Sequence, residues 1–171
     1  ASYSADLALK HARDCRSIML SDWYRRIFPK TRLSGRGGGA EMNFRTTKGG
    51  GRFSTSVGGT MTGLGGDNII IDDPINAKEA ASATVREAAK AWYTQTLSTR
   101  LNNKKTGAVV LVMQRLHEDD LAGFLLETGG WRHLTLPAIA EADDVIPLGK
   151  TRRHVRATGE VLHPEREDIV Q

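Results

Sequence analysis

Two short apolar runs, Asn68–Ile71 and Ala108–Met113, constrain the fold of this chain more than any other feature. Each run is continuous rather than alternating and rich in β-branched residues, a pattern typical of strands buried on both faces. Between them, segment 76–101 is rich in helix formers, and Asn76 with Glu79 could form a capping box at its start. A strand, a long helix and a second strand in this order predict an α/β fold with a parallel sheet.

Other elements follow from periodicity and from turn residues. The predictions are helices over 5–20, 21–28 and 117–127, a third strand over 131–136, and hairpin strands over 42–46 and 52–57. The hairpin lies in segment 33–66, which holds most of the glycines. Trp92 and Tyr93 are spaced for core packing on the long helix. From residue 141 onward the sequence is charged and irregular, which indicates a connector.

Charge is unevenly distributed along the chain. Residues 1–66 carry 11 Lys/Arg against 4 Asp/Glu (11 − 4 = +7), whereas the remainder carries 13 against 16 (13 − 16 = −3). A basic half suits a polyanion such as nucleic acid, although many enzymes have one too. Cys15 is the single cysteine, which excludes an internal disulfide and indicates a reducing, cytoplasmic compartment. No apolar run approaches the roughly 20 residues of a membrane span.

Polar residues follow both predicted strands directly, and ligands of parallel sheets bind at the carboxyl ends of strands. Asp72 and Asp73 follow the first strand, where one carboxylate could hold Mg²⁺ and the next orient a water. The alternative is a helix start with Asp73 as N-cap and Pro74 in the first turn. Gln114 and Arg115 follow the second strand, where they could sense phosphate or simply form a strand-to-helix turn.

Three further groups of residues have both a functional and a plain interpretation. His117, Asp119 and Asp120 could bind a metal, but acids are also expected at a helix start. The glycine-rich stretch 58–66 could cradle phosphate, yet no GxxxxGK[ST] pattern occurs in the chain, which favours a turn. Basic residues in the hairpin region could contact DNA or form a solvated face. These basic residues are Arg32, Arg36, Arg45, Lys48 and Arg52.

Several segments follow one another along the chain as an ordered series. The first four are SYSADLA, FRTTKGGGRFSTSVGGTMTGLGGDNIIIDDP, REAAKAWYTQTLSTRLN and VVLVMQRLHEDDLAGFLLE. With LTLPAIAE and LHPER after them, this series resembles the large terminase subunit of tailed bacteriophages. In that family an ATPase domain drives DNA into the capsid, and a C-terminal RNase H-like domain cuts it. The resemblance implies that residues 1–140 form a partial α/β ATPase domain of the parallel-sheet P-loop-type (ASCE-like) class, with a glycine-rich β-hairpin insertion. Residues 141–171 would be a connector that leads toward a nuclease domain.

The resemblance also implies roles for the residues at the strand ends. Asp72 would be the Walker B ligand of Mg²⁺, and Asp73 would occupy the catalytic carboxylate position, where many terminases have Glu. Gln114 and Arg115 would belong to the motif that couples hydrolysis of ATP to domain movement. The Walker A loop is expected before Ala1 and the nuclease acids after Gln171, so the chain alone is expected to be inactive.

The partners implied are double-stranded phage DNA, the portal protein, the small terminase subunit and further copies in a homo-oligomeric ring. The implied location is the host bacterial cytoplasm, with transient docking on the procapsid. Two rivals remain open: a helicase-like or recombination ATPase, and a DNA-binding or scaffold module that has lost catalysis.

Overall fold

The computed structural model describes residues 1–35, 41–61 and 63–166. Within these ranges the chain is a mixed α/β protein with three two-stranded sheets, of which one is parallel. It divides into two compact units, Ala1–Gly129 and Gly130–Gln171. No helix in the described ranges is both long and apolar enough to cross a bilayer.

The first unit contains four helices and four strands among its described residues. In chain order they are α1 (Ala5–Leu20), α2 (Asp22–Ile27), β1 (Asn43–Arg45), β2 (Gly51–Phe53), β3 (Asn68–Asp72), α3 (Ala83–Gln95), β4 (Ala108–Val112) and α4 (Leu121–Thr128). Short 3₁₀ turns span Ala77–Glu79 and Leu97–Arg100. The predicted helices at 5–20 and 21–28 and the antiparallel hairpin are confirmed, with the second hairpin strand confined to Gly51–Phe53.

β3 and β4 pair in parallel, as the two apolar runs predict, with Asn68 opposite Ala108 and Asp72 opposite Val112. Parallel pairing continues on the other side of β3. The Ala1 nitrogen donates to the Ile70 carbonyl at 2.6 Å, and the Ala1 carbonyl accepts from the Asp72 nitrogen at 2.8 Å. The next residue, Ser2, forms a parallel bridge with Ser56. A short extended segment therefore lies beside β3 and carries the parallel pairing beyond two strands.

The prediction that β3 and β4 are buried on both faces is wrong. Ile69 and Ile71 point into a core with Trp92 and Leu97, because α3 and the turn after it cover that face. Ile70 points the other way and is 59% exposed, and the outward residues of β4 are exposed as well. The continuous apolar runs therefore have one buried face in the described part of the chain.

The long helix predicted over 76–101 is interrupted. Asn76 accepts a hydrogen bond from the Lys78 nitrogen at 3.1 Å and begins a 3₁₀ turn, so it is a cap of a separate short element. Ser82 again has extended backbone angles before α3 begins. The Asn76 side chain therefore caps the first start, whereas Ser82 makes no side-chain cap hydrogen bond at the second.

The second unit contains a β-hairpin where the sequence predicts an irregular connector. β5 (Asp144–Leu148) pairs antiparallel with β6 (Arg152–Arg156) around a turn at Gly149, whose φ is +71°. The hairpin base is closed by Asp143, whose carboxylate accepts from both the nitrogen and the hydroxyl of Thr158 at 2.8 Å. These bonds lower the pKa of Asp143. The third strand predicted over 131–136 is absent; these described residues have no regular structure.

Candidate functional site

Asp72 is the last residue of β3 and lies half-buried at the carboxyl edge of the parallel pair. Strand alternation places its side chain on the same face as Ile70, away from the α3 core. There its Oδ2 lies 3.0 Å from Nε2 of His11 in α1. The imidazole nitrogen is buried without an aligned hydrogen bond, so the contact is a close approach at ion-pair distance. One carboxylate oxygen faces His11.

His11 is a neighbour of Asp72 that the sequence did not predict. It lies on the buried side of α1, one residue before Ala12 and three after Ala8, both of which are buried. A histidine among small buried residues was the available signal. Its carbonyl accepts a hydrogen bond from Arg52 Nη1 at 2.8 Å. Arg52, predicted to contact DNA, is thus half-buried and fastens β2 to α1 beside the Asp72 carboxylate.

Asp73 has a left-handed backbone, with φ of +42°, which is uncommon for a residue other than glycine. Hydrogen bonds on both sides hold it: its nitrogen donates to Val112 at 2.9 Å, and its carbonyl accepts from Tyr3 at 2.9 Å. Pro74 restricts its backbone further. The alternative that Asp73 caps a helix is wrong, because the first turn begins at Ala77.

Gln114 and Arg115 follow β4 at the same edge of the sheet but have different surroundings. Because Asp72 pairs with Val112, Gln114 lies two residues beyond the register position of Asp72, and its side chain is exposed. Arg115 donates from Nε to the buried carboxylate of Asp120 at 3.2 Å and from Nη2 to the Glu118 carbonyl at 3.1 Å. In this structure Arg115 therefore anchors the start of α4.

The acids before α4 serve the helix and its packing. Asp120 is the N-cap, and its Oδ1 accepts from the Gly123 nitrogen at 2.8 Å. Asp119 accepts from the buried side chains of Lys90 and Arg86, the latter at 3.4 Å, and so joins α3 to the start of α4. Among the described residues no group of three or more potential metal ligands is found, which leaves the metal interpretation of His117, Asp119 and Asp120 without geometric support.

The link between Asp119 and α3 gives a pH-dependent contribution to stability. Hydrogen bonding with Lys90 holds the pKa of Asp119 below its ordinary value and raises that of Lys90. The stabilisation is present above the ordinary carboxylate pKa and is lost as the pH falls through the lowered one. We expect the Asp119→Asn variant to have a lower melting temperature than wild type near neutral pH. The difference between the two melting temperatures should become smaller as the pH falls from about 6 to about 3. Glu118→Gln is the matched control, and an equal shift there would contradict the assignment.

Asp72 supplies the carboxylate oxygen that a Mg²⁺ site needs, but the chain has no match to the phosphate-binding loop that an ATP site needs. Mg²⁺ is commonly held by one or two carboxylates together with substrate phosphates and water, and a half-exposed Asp on a strand end has the right oxygen donor. Nothing in the sequence matches the phosphate-binding loop that an ATP site needs. The residues therefore fit a metal ligand but not a complete nucleotide site.

The predicted DNA contacts separate in the structure. Arg45 and Lys48 are exposed at the end of β1 and in the hairpin turn, whereas Arg52 is tied to α1. Arg36 lies outside the described residues.

Comparison of the chain with protein-family models, with curated proteins and with solved structures finds no match. Inference about function therefore depends on the geometry of the Asp72 edge and on the ordered sequence motifs.

Proposed function

We propose that this chain is part of the ATPase domain of a terminase-type motor that packages double-stranded DNA into a phage capsid. The observation that carries the proposal is the carboxyl edge of the β3–β4 pair. Asp72 and the left-handed Asp73 end one parallel strand there, and Gln114 follows its neighbour. Strained backbone at a non-glycine residue is commonly found at functional sites, where the surrounding structure holds it in place.

Each residue at this edge has a proposed task. Asp72 is the protein ligand of Mg²⁺, which neutralises phosphate charge when bound. Asp73 orients water, and its left-handed backbone fixes the direction of its short side chain. Gln114 is exposed for contact with the nucleotide, and Arg115 transmits movement of that edge to α4 through Asp120. The phosphate-binding loop belongs to another part of the intact protein in this proposal.

The remaining partners follow from the same proposal. They are the portal protein, the small terminase subunit and neighbouring copies in a ring on the procapsid in the host cytoplasm. A P-loop-type sheet around β3 and β4 belongs to the proposal as well. The parallel hydrogen bonds of Ala1 beside β3 support it.

A second candidate is a DNA-binding or scaffold module that no longer hydrolyses ATP. Two observations favour it: the chain has no GxxxxGK[ST] pattern, and His11 lies against one oxygen of Asp72. Such a module would bind nucleic acid but would not hydrolyse ATP.

ATP turnover by the full gene product that contains this chain distinguishes the two candidates. The motor proposal expects hydrolysis that requires Mg²⁺ and increases on addition of duplex DNA. DNA binding without turnover under both conditions would reject the motor and leave the scaffold module.

A further inference from the structure

We propose that α2, the segment after it and the β1–β2 hairpin form one nucleic-acid-binding surface, separate from the Asp72 edge. We call it the α2–hairpin surface. Its basic members are all exposed: Arg25, Arg26, Lys30, Arg32, Arg45 and Lys48. Of these, the sequence alone pointed to Arg32, Arg45 and Lys48.

Backbone hydrogen bonds bring the two halves of this surface together. Leu33 forms an antiparallel bridge with Thr46, so the segment after α2 runs beside β1. The Arg32 carbonyl accepts from the Thr47 nitrogen at 2.9 Å, and the Arg45 carbonyl accepts from the Ser34 nitrogen at 2.8 Å. Arg32, in the segment after α2, therefore lies next to Arg45 and Lys48 of the hairpin, and Arg25 and Arg26 precede it by a few residues in the adjoining helix.

The positive charge of the α2–hairpin surface has little local compensation. From Asp22 to Lys48 the sequence contains two acids, Asp22 at the start of α2 and Glu41. The Glu41 carboxylate is bound by Arg13 of α1 at 2.6 Å, and this hydrogen bond lowers the pKa of Glu41. Six exposed cations against Asp22 leave the described part of this surface with an excess of positive charge, which attracts a polyanion.

Exposed aromatic rings accompany these cations. Trp23 is 49% exposed and Phe28 is 47% exposed, and Tyr24 joins them through ring contacts of 5.8 and 4.8 Å between centroids. Large rings held at the surface leave apolar area open to water. Aromatic side chains beside Lys and Arg offer the stacking and cation contacts that nucleic acids use.

Nucleic acid fits this surface better than an anionic membrane does. An interfacial membrane helix buries one long apolar face, whereas α2 has six residues. The cations here extend across a helix, a loop and a hairpin, which suits a row of phosphates. The choice of duplex DNA as the probe rests on the proposed function; the location of the surface does not.

The test compares Arg25→Gln/Arg26→Gln with Lys104→Gln/Lys105→Gln, a matched pair of adjacent exposed lysines in the same unit. Binding of labelled duplex and single-stranded DNA is measured between about 50 and 200 mM salt, where each lost phosphate contact reduces the logarithmic salt slope by about one. We expect a slope smaller by about two and roughly tenfold weaker binding for the arginine variant, with little change for the lysine variant. Trp23→Ala should weaken single-strand binding by about fivefold or more.

Three outcomes would overturn the inference. Equal losses in both double variants would mean that net charge alone governs binding. Unchanged DNA binding by Arg25→Gln/Arg26→Gln would exclude the surface, and loss of binding only to phosphatidylserine vesicles would assign it to a membrane. Asp72→Ala should leave DNA binding intact, so failure of ATP turnover and failure of this surface are seen separately.

Discussion

Replacing Asp72 by alanine in the full gene product should lower DNA-stimulated ATP turnover by about a hundredfold or more, as expected when a metal ligand or an equally important electrostatic group is removed. Asp72 is the half-exposed carboxylate at the end of β3, with Oδ2 3.0 Å from His11 Nε2. Alanine removes the oxygen donor without changing the strand. Because the side chain is half-exposed, we expect the melting temperature to change little.

Asp67→Ala is the control for this experiment. Asp67 directly precedes β3, at the end opposite Asp72, and contacts Asn102 at 3.2 Å. Like Asp72→Ala, the Asp67→Ala substitution removes one negative charge near β3, but it should leave ATP turnover near that of wild type. If Asp72→Ala also hydrolyses ATP at the wild-type rate, the Walker B role is refuted.

Replacing Gly123 by alanine should destabilise the first unit by about 1–3 kcal/mol or more, the range for forcing extra atoms into a packed site. A Cβ at this position would lie 1.9 Å from the Glu118 carbonyl oxygen and 3.2 Å from Arg115 Nη2. The Gly123 nitrogen also completes the cap formed by Asp120. The start of α4 would have to move, so the Arg115–Asp120 contact would be strained as well. Thermal and denaturant unfolding measure the effect.

Gly35→Ala is the matched control, because a Cβ there meets no atom within 4 Å and the backbone is not left-handed. We expect its stability to equal that of wild type. Equal destabilisation by both substitutions would mean that loss of glycine flexibility, and not the Glu118 contact, is responsible.

Sequence patterns predicted those parts of the fold that depend on local chemistry. The β-branched runs gave β3 and β4, and the alternating runs around a glycine turn gave the hairpin. The break near Ser82 was missed because the alanines around Ser82 favour one continuous helix. The hairpin of β5 and β6 was missed because Pro147 interrupts the short apolar run of β5 and most of β6 is charged and exposed.

The candidate site was predictable in position but not in its contacts. Parallel pairing brings Asp72 and Gln114 to one edge, as the strand ends implied. His11 comes from a helix 61 residues earlier (72 − 11), and Arg115 turns back to Asp120; both depend on tertiary packing. No spacing rule in a single sequence reveals such pairs.

The left-handed conformation of Asp73 has a consequence for how this position can vary. Glycine would adopt φ of +42° freely, whereas an aspartate there costs about 1–3 kcal/mol. Glycine's greater freedom in the unfolded chain offsets part of that difference. In the proposed motor, the carboxylate of Asp73 would therefore be kept beside the strand end at a modest cost in fold stability.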